Sequence, residues 1–292
     1  METKGIDNIF SGMTPVSDYE SDTEVIADLA RFQVTKAELF SHTREPAITI
    51  WENRIKFNMV FLTGDIHGVP WDLCRRCKQY GIGAGDIVVL LGDVGANYRG
   101  GEADKSMKAI LDMAGPTFLC IHGNHEMRPW NVSGYELKEW NGGKVWVQDD
   151  FPNLLFAKDG EIFELEGKRC IVIGGAYSVD KGFRLRHNYG WWPDEQPSAE
   201  IKAYVEDQLR THEIDVVLSH TCPFKYEPRE MFLPGVDQRK IDDSTERWLD
   251  TIEETIAYKA WYCGHWHTDK RIGRMHFLFN SFEALDDYNE EN

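Results

Sequence analysis

Five short stretches between residues 64 and 267 gather side chains that bind metals. They are Gly64-Asp65-Ile66-His67-Gly68, Gly92-Asp93, Gly123-Asn124-His125-Glu126, His220, and Gly264-His265-Trp266-His267. Carboxylate, amide and imidazole form a donor mix for hard-to-borderline divalent cations with positions left open. Alone, a Gly-Asp is ordinarily a turn and a single His220 a satisfied polar residue. Their joint occurrence, each after an apolar, β-branched-rich run, points to hydrolytic metal chemistry. Two ions about 3.5–4 Å apart need a bridging carboxylate. Asp93, at a strand end between the first and third stretches, is the natural candidate. Asn124 offers an amide oxygen that adds no negative charge to a pocket for an anionic phosphate.

Positioning these groups calls for strands that end together. Met59–Thr63, Asp86–Leu91 and Pro116–Ile121 read as strands, separated by helices over Pro70–Tyr80 and Glu102–Ala114. Strand and helix in alternation signal parallel βαβ units, whose ligands collect beyond the carboxyl ends of the strands. Short strands at 144–147, 154–157, 161–165 and 168–173 read as an antiparallel meander. An aromatic and charged loop follows from Gly174 to Pro197. Ser198 caps a helix running to Arg210, Asp215–Ser219 is a strand ending at His220, and Ser244–Tyr258 is a further helix. Ala260–Cys263 is a strand ending at His265, and Arg271–Phe279 a last strand. Before the main domain, residues 1–57 read as an extension: a polar leader, a helix from Thr23 to Phe40, and a hairpin from Ala47 to Phe57 that could contact a partner. The main domain is expected over residues 58–292.

A formal charge of −17 argues against extended nucleic acid and anionic membranes as partners, since both need a basic face. A small phosphorylated ligand stays compatible, because bound cations invert the local potential. No apolar run approaches the roughly 20 residues of a membrane span. The N-terminus lacks the apolar centre of a secretory signal. The six cysteines sit mostly in expected strands or one helix, so a reduced, cytoplasmic protein is expected. Cys74 and Cys77, three apart on a helix, read as packing residues.

On these motifs and their order, residues 58 to about 280 resemble the calcineurin-like metallophosphoesterase superfamily, whose pattern is GDxHG, GDx, GNH[ED], a lone His and GHxH. The resemblance implies an α/β fold, a four-layer α/β/β/α sandwich with a mixed sheet core. It implies one metal site of Asp65, His67, Asp93 and His267 and another of Asp93, Asn124, His220 and His265. His125 would act near the leaving group, and a metal-bridging hydroxide would attack phosphorus. The implied cofactors are two divalent ions, Mn²⁺ first, with Fe, Zn or Ni open.

The second motif departs from the protein phosphatase branch, which has GDxVDRG there. Ala96 and Asn97 occupy the places of its Asp and Arg, while Arg99 comes two positions late. The ending Gly264-His265-Trp266-His267 resembles phosphodiesterase-type branches. A phosphodiester or nucleotide-type substrate is therefore favoured. A phosphomonoesterase, including a serine/threonine-type protein phosphatase, is the alternative, and a non-catalytic binding scaffold with this fold is the rival of another class. Candidate substrate contacts are Arg99, Arg128, Arg184, Arg186 and Trp191, since guanidinium groups clamp phosphate and indoles stack rings.

Overall fold

The computed structural model describes residues 58–285. The helix and hairpin expected before Asn58, and with them the whole extension, lie outside the described residues. From Met59 onward the chain forms one unit. Its strands are β1 (Val60–Thr63), β2 (Ile87–Leu90), β3 (Thr117–Cys120), β4 (Tyr135–Trp140), β5 (Gly143–Gln148), β6 (Leu154–Ala157), β7 (Ile162–Leu165), β8 (Lys168–Ile173), β9 (Val216–Ser219), β10 (Ala260–Cys263), β11 (Lys270–Ile272), β12 (Met275–Phe277) and β13 (Glu283–Ala284). Its α-helices are α1 (Pro70–Gln79), α2 (Lys105–Met113), α3 (Lys181–His187), α4 (Ala199–Thr211) and α5 (Ser244–Thr255).

The strands make two mixed sheets, in the orders β13-β1-β2-β3-β6-β5-β4 and β11-β12-β10-β9-β8-β7. In the first, β1, β2, β3 and β6 run parallel; in the second, β8, β9, β10 and β12 do. Apolar side chains on both faces of these strands divide by the two-residue period. Val60, Leu62, Val89 and Leu119 of the first sheet join Val172, Val216, Leu218 and Tyr262 of the second in one buried cluster. Phe61, Val88, Leu90 and Phe118 cluster instead with Leu73 and Cys77 of α1 and Met107 and Leu111 of α2. Ile171, Val217 and Trp261 pack with Val205 of α4 and Leu249 and Ile252 of α5. Each such side chain, fully buried, contributes roughly 1.5–3 kcal/mol. The result is the expected α/β/β/α sandwich.

Several expected elements are changed. The antiparallel meander is divided: β4, β5 and β6 close the first sheet and β7 and β8 open the second, with Lys158-Asp159-Gly160 carrying the chain across. Strand β4 was not foreseen. Its sequence, YELKEW, is an exposed edge whose charges obscure alternation and discourage pairing with another chain. The expected last strand is a hairpin of β11 and β12, followed by β13 on β1. Helix α3 interrupts the 174–197 loop. The Ser198 cap holds, its Oγ accepting from Ile201 N at 3.3 Å. Cys74 and Cys77 are free thiols pushed up to about 12 by burial, so they suit packing rather than reactivity. Among the described residues, no helix is long and apolar enough to cross a membrane.

Candidate metal centre

The ends of parallel strands bring the motif residues together. Asp65 follows β1, Asp93 follows β2, and Asn124 and His125 follow β3. His220 follows β9, and His265 and His267 follow β10. Three of these turns place four non-glycine residues in the left-handed region: His67 (φ 44°), Asp93 (46°), His265 (64°) and His267 (49°). Such backbone costs about 1–3 kcal/mol per residue and concentrates at functional sites. Two glycines make the close approach possible. A Cβ on Gly92 would overlap the His220 ring, and one on Gly123 would overlap Asp93.

Two clusters of donors result. In the first, His67 Nε2 lies 2.8 Å from His267 Nε2, and Asp65 Oδ2 is 3.3 Å from the latter and 3.7 Å from the former. In the second, His220 Nε2 lies 2.9 Å from Asn124 Oδ1 and 3.5 Å from Asp93 Oδ1. The His265 ring packs on His220, with centroids 4.9 Å apart. Asp93 sits between the clusters, since its Oδ2 is 3.9 Å from His67 Nδ1 and its Oδ1 faces His220. Asp65 reaches both as well. Two groups among the described residues have donor atoms all within 4.8 Å of one another: Asp65 with His67 and His267, and Asp65 with Asp93 and His220.

The residues fit divalent cations. Donors bonded to one ion at about 2.1 Å lie about 3 Å from each other, close to the spacings here. Asp65 Oδ2 is buried with no hydrogen-bond partner, while its Oδ1 accepts from the backbone N–H of His265. His220 Nδ1 is 2.7 Å from the Leu91 carbonyl, which fixes Nε2 as the free donor to a cation.

Electrostatics follow from packing acids and imidazoles together out of water. Burial alone would raise both carboxyls. The His267 ring, 3.3 Å from Oδ2, and the charge of His220 nonetheless bring Asp65 below its ordinary value, and His220, His125 and His67 do the same for Asp93. Burial drives His265 down to about 3, whereas the adjoining Asp65 carboxylate raises His267. His125 is lowered by burial, with Asp93 opposing. Its charged form is thus disfavoured in the bare site. His125 N donates to Asp93 Oδ1 at 2.8 Å, and its Nε2 is 3.9 Å from Asp93 Oδ2.

Of the expected substrate contacts, Arg128 must be corrected. It is 1% exposed, paired with Asp159, and its Nε donates to the Asp194 carbonyl at 2.8 Å. It anchors the 174–197 loop and has no access to an ester. Trp191 also serves that loop: Nε1 donates to Glu195 at 2.8 Å and Lys181 Nζ lies 4.0 Å over its ring. Arg99 is exposed, its backbone N–H bound to Asp104. Arg186 is exposed on α3, with its Nη1 near Gly182. Arg184 differs. Nε donates to Asp180 at 2.8 Å, Nη1 to the Gly190 carbonyl at 3.1 Å and to Tyr98 at 3.4 Å, and its charge acts on His125.

Three residues escaped sequence reasoning. Glu126 accepts from the backbone N–H groups of Val94, Gly95 and Gly123, tying the second motif to the third. Burial, reinforced by Asp93, lifts its carboxyl to about 8. Its place in the third motif was its signal. Ser178 Oγ accepts from Asn124 Nδ2 at 2.9 Å, which turns the amide oxygen toward His220. Asp180 holds Arg184. Neither Ser178 nor Asp180 has a motif to betray it. At the second motif, Ala96 and Asn97 are buried, and Asn97 Oδ1 accepts from Tyr135, so neither presents a charge.

The sequence model of one family, described as calcineurin-like phosphoesterase, matches residues 59–269. No curated protein sequence matches the chain. Among solved structures, TT1561 of Thermus thermophilus is similar at 12% identity and a TM-score of 0.46, covering 78% of this chain and 98% of that one. The phosphopantetheinyl hydrolase of Mycobacterium tuberculosis is similar at 11% identity and 0.39, covering 76% and 89%. A protein serine/threonine phosphatase of Saccharomyces cerevisiae is similar at 12% and 0.29, covering 96% and 83%.

Proposed function

The chain belongs to the calcineurin-like phosphoesterase family, whose members hydrolyse phosphoesters, and from that premise we propose that it cleaves a small phosphodiester or nucleotide-type substrate at a pair of divalent cations. The single observation that carries this reading is the convergence of two donor clusters on Asp93, with an unpartnered Asp65 oxygen between imidazoles. Asp65, His67 and His267 would hold one ion; Asn124, His220 and His265 the other; Asp93 would reach both. Bound there, divalent cations supply Lewis acidity toward phosphate oxygens and acidify the attacking water.

The protein's own groups do the rest. His67 and His267 are half-exposed, with side-chain exposures of 35% and 47%, which leaves the first cluster open to an incoming ester. Asp65, Asn124 and His220 are buried and fix the floor. His125 Nε2 faces the cluster, within reach of a leaving oxygen to which it gives a proton. Arg184 Nε and Nη1 are occupied by Asp180, Tyr98 and Gly190, so Nη2 is the nitrogen offered to a phosphate oxygen.

A diester is favoured because it carries one negative charge where a monoester carries about two. Arg128 is withdrawn into the interior, and Arg184 is the guanidinium whose charge acts on His125. Glu126, which this chain shares with protein phosphatases, is occupied with backbone and carries no information on substrate. Mn²⁺ is the ion to load first, ahead of Fe, Zn and Ni, because mixed N/O sites follow availability more than intrinsic preference. All six cysteines are free, which suits a reducing, cytoplasmic setting. Rates on bis(p-nitrophenyl) phosphate and p-nitrophenyl phosphate, measured with Mn²⁺-loaded protein, test the proposal. A higher kcat/KM for the diester is expected. Turnover of the monoester alone would reverse the substrate class, and turnover of neither would remove the catalytic reading.

A further inference from the structure

His125 faces the ligand cluster with one ring nitrogen only. Nε2 lies 3.9 Å from Asp93 Oδ2, and the residue's backbone N–H is held by Asp93 Oδ1. Nδ1, on the other side of the ring, is buried and has no hydrogen-bond partner. A buried polar atom left so costs about 1–3 kcal/mol. The ring therefore has an unmet requirement on the side away from the cluster.

The approach to α3 carries the complementary requirement. The bond from Asn124 Nδ2 to Ser178 Oγ fastens this segment to the residue beside His125. Two residues later stands Asp180. Its backbone carbonyl accepts from Phe183 and Arg184, which fixes the residue in the first turn. Its Oδ2 accepts from Arg184 Nε at 2.8 Å, while its Oδ1 is buried and unpartnered. The charge of Asp180 acts on the His125 ring. An orphaned acceptor and an orphaned imidazole nitrogen thus share one small region, joined through Ser178 and Asn124.

We propose that Asp180 is the positioning residue for His125, its Oδ1 accepting the Nδ1–H of the ring so that Nε2 is aimed at the leaving oxygen. This rests on the phosphoesterase reading above. The two atoms are not bonded to each other in the structure, and such contacts commonly tighten only once substrate is seated. The ring acts as the imidazolium, which the carboxylate at Nδ1 stabilises against burial, and as the P–O bond breaks Nε2 passes its proton to the departing oxygen. The ring left behind is the neutral Nδ1–H tautomer, the form a carboxylate at Nδ1 holds. Arg184, fastened to the same carboxylate, then keeps the phosphate and the proton donor in one frame.

Two measurements test the assignment. Histidine ¹H–¹⁵N spectra of the metal-free protein at alkaline pH, with the His125 signals identified by their loss in His125→Gln, should show the Nδ1–H tautomer. Asp180→Ala should move it toward Nε2–H, and Asp180→Asn, which keeps an acceptor oxygen, should move it less. In Mn²⁺-loaded protein, Asp180→Ala should lower kcat on diphenyl phosphate about 10–100-fold, a share of what general acid catalysis supplies. On bis(p-nitrophenyl) phosphate, whose leaving group needs little protonation, the loss should stay under about threefold. KM should stay within about twofold for both esters. Asp180→Ser replaces the alanine variant if that one folds poorly. An unchanged tautomer, equal losses on the two esters, or a loss that vanishes in an Arg184→Gln background overturns the assignment. Inactivity of the wild type on every ester sinks the phosphoesterase reading, and the spectra still decide the pairing.

Discussion

Arg128→Met tests whether the guanidinium is an internal anchor or a phosphate ligand. Arg128 and Asp159 are paired with side chains 1% and 3% exposed. Removing the cation leaves a buried carboxylate whose remaining bond is from Gly174 N at 2.8 Å, and it strips the Asp194 carbonyl of its donor. Breaking one side of a buried pair costs about 3–5 kcal/mol. The methionine recovers part of the packing of the arginine stem, so about 3 kcal/mol is expected. Equilibrium urea unfolding of metal-free protein measures it. Arg128→Met/Asp159→Asn removes the stranded charge while keeping an acceptor for Gly174, and should recover at least half of the loss. That recovery is a coupling energy, expected only for groups in contact. A loss under about 1 kcal/mol accompanied by a raised KM would show that the burial argument is wrong and that Arg128 binds the ester.

Two further outcomes follow from the structure. His125→Gln should cut turnover about 10²–10⁴-fold while metal content stays at the wild-type level, because the ring faces the cluster without belonging to it. Metal loss equal to that of Asp93→Asn would make His125 a ligand instead. Lys108 is 1% exposed, donates to Gln148 at 2.8 Å, and is pushed down to about 8 by burial. Between about pH 8 and its ordinary value near 10.5, the unfolded chain holds the extra proton, so this lysine adds stability as pH rises across that window. That contribution is lost as pH falls through about 8. The stability of wild type relative to Lys108→Met should therefore increase by on the order of 3 kcal/mol from about pH 7 to about pH 10.5. A flat difference in paired unfolding titrations would refute it.

How far the sequence foretold the site depends on what kind of signal each residue leaves. Asp65, Asp93 and Asn124 could be found because a β-branched strand, a glycine and a donor recur in one order, and parallel strands must release those donors at one edge. The left-handed backbone of His67, Asp93, His265 and His267 leaves no mark in residue type. Arg128 misled because an arginine near a motif looks alike whether it meets a phosphate or an internal Asp159. Only burial separates the two. Asp180 stayed hidden because α3 is seven residues long and has no buried face to create a periodicity. Strand β4 was missed for the related reason that an exposed, charged edge suppresses alternation.

The central claim is that the converging carboxylates and imidazoles form a working divalent-metal site. Its most direct measurement is metal stoichiometry of Mn²⁺-loaded wild type and Asp93→Asn, with hydrolysis of bis(p-nitrophenyl) phosphate followed on the same samples. The account predicts close to two ions per wild-type chain, a clear deficit in Asp93→Asn, and turnover that disappears with the metal. A wild-type stoichiometry near zero, or turnover that survives the loss of Asp93, would contradict it.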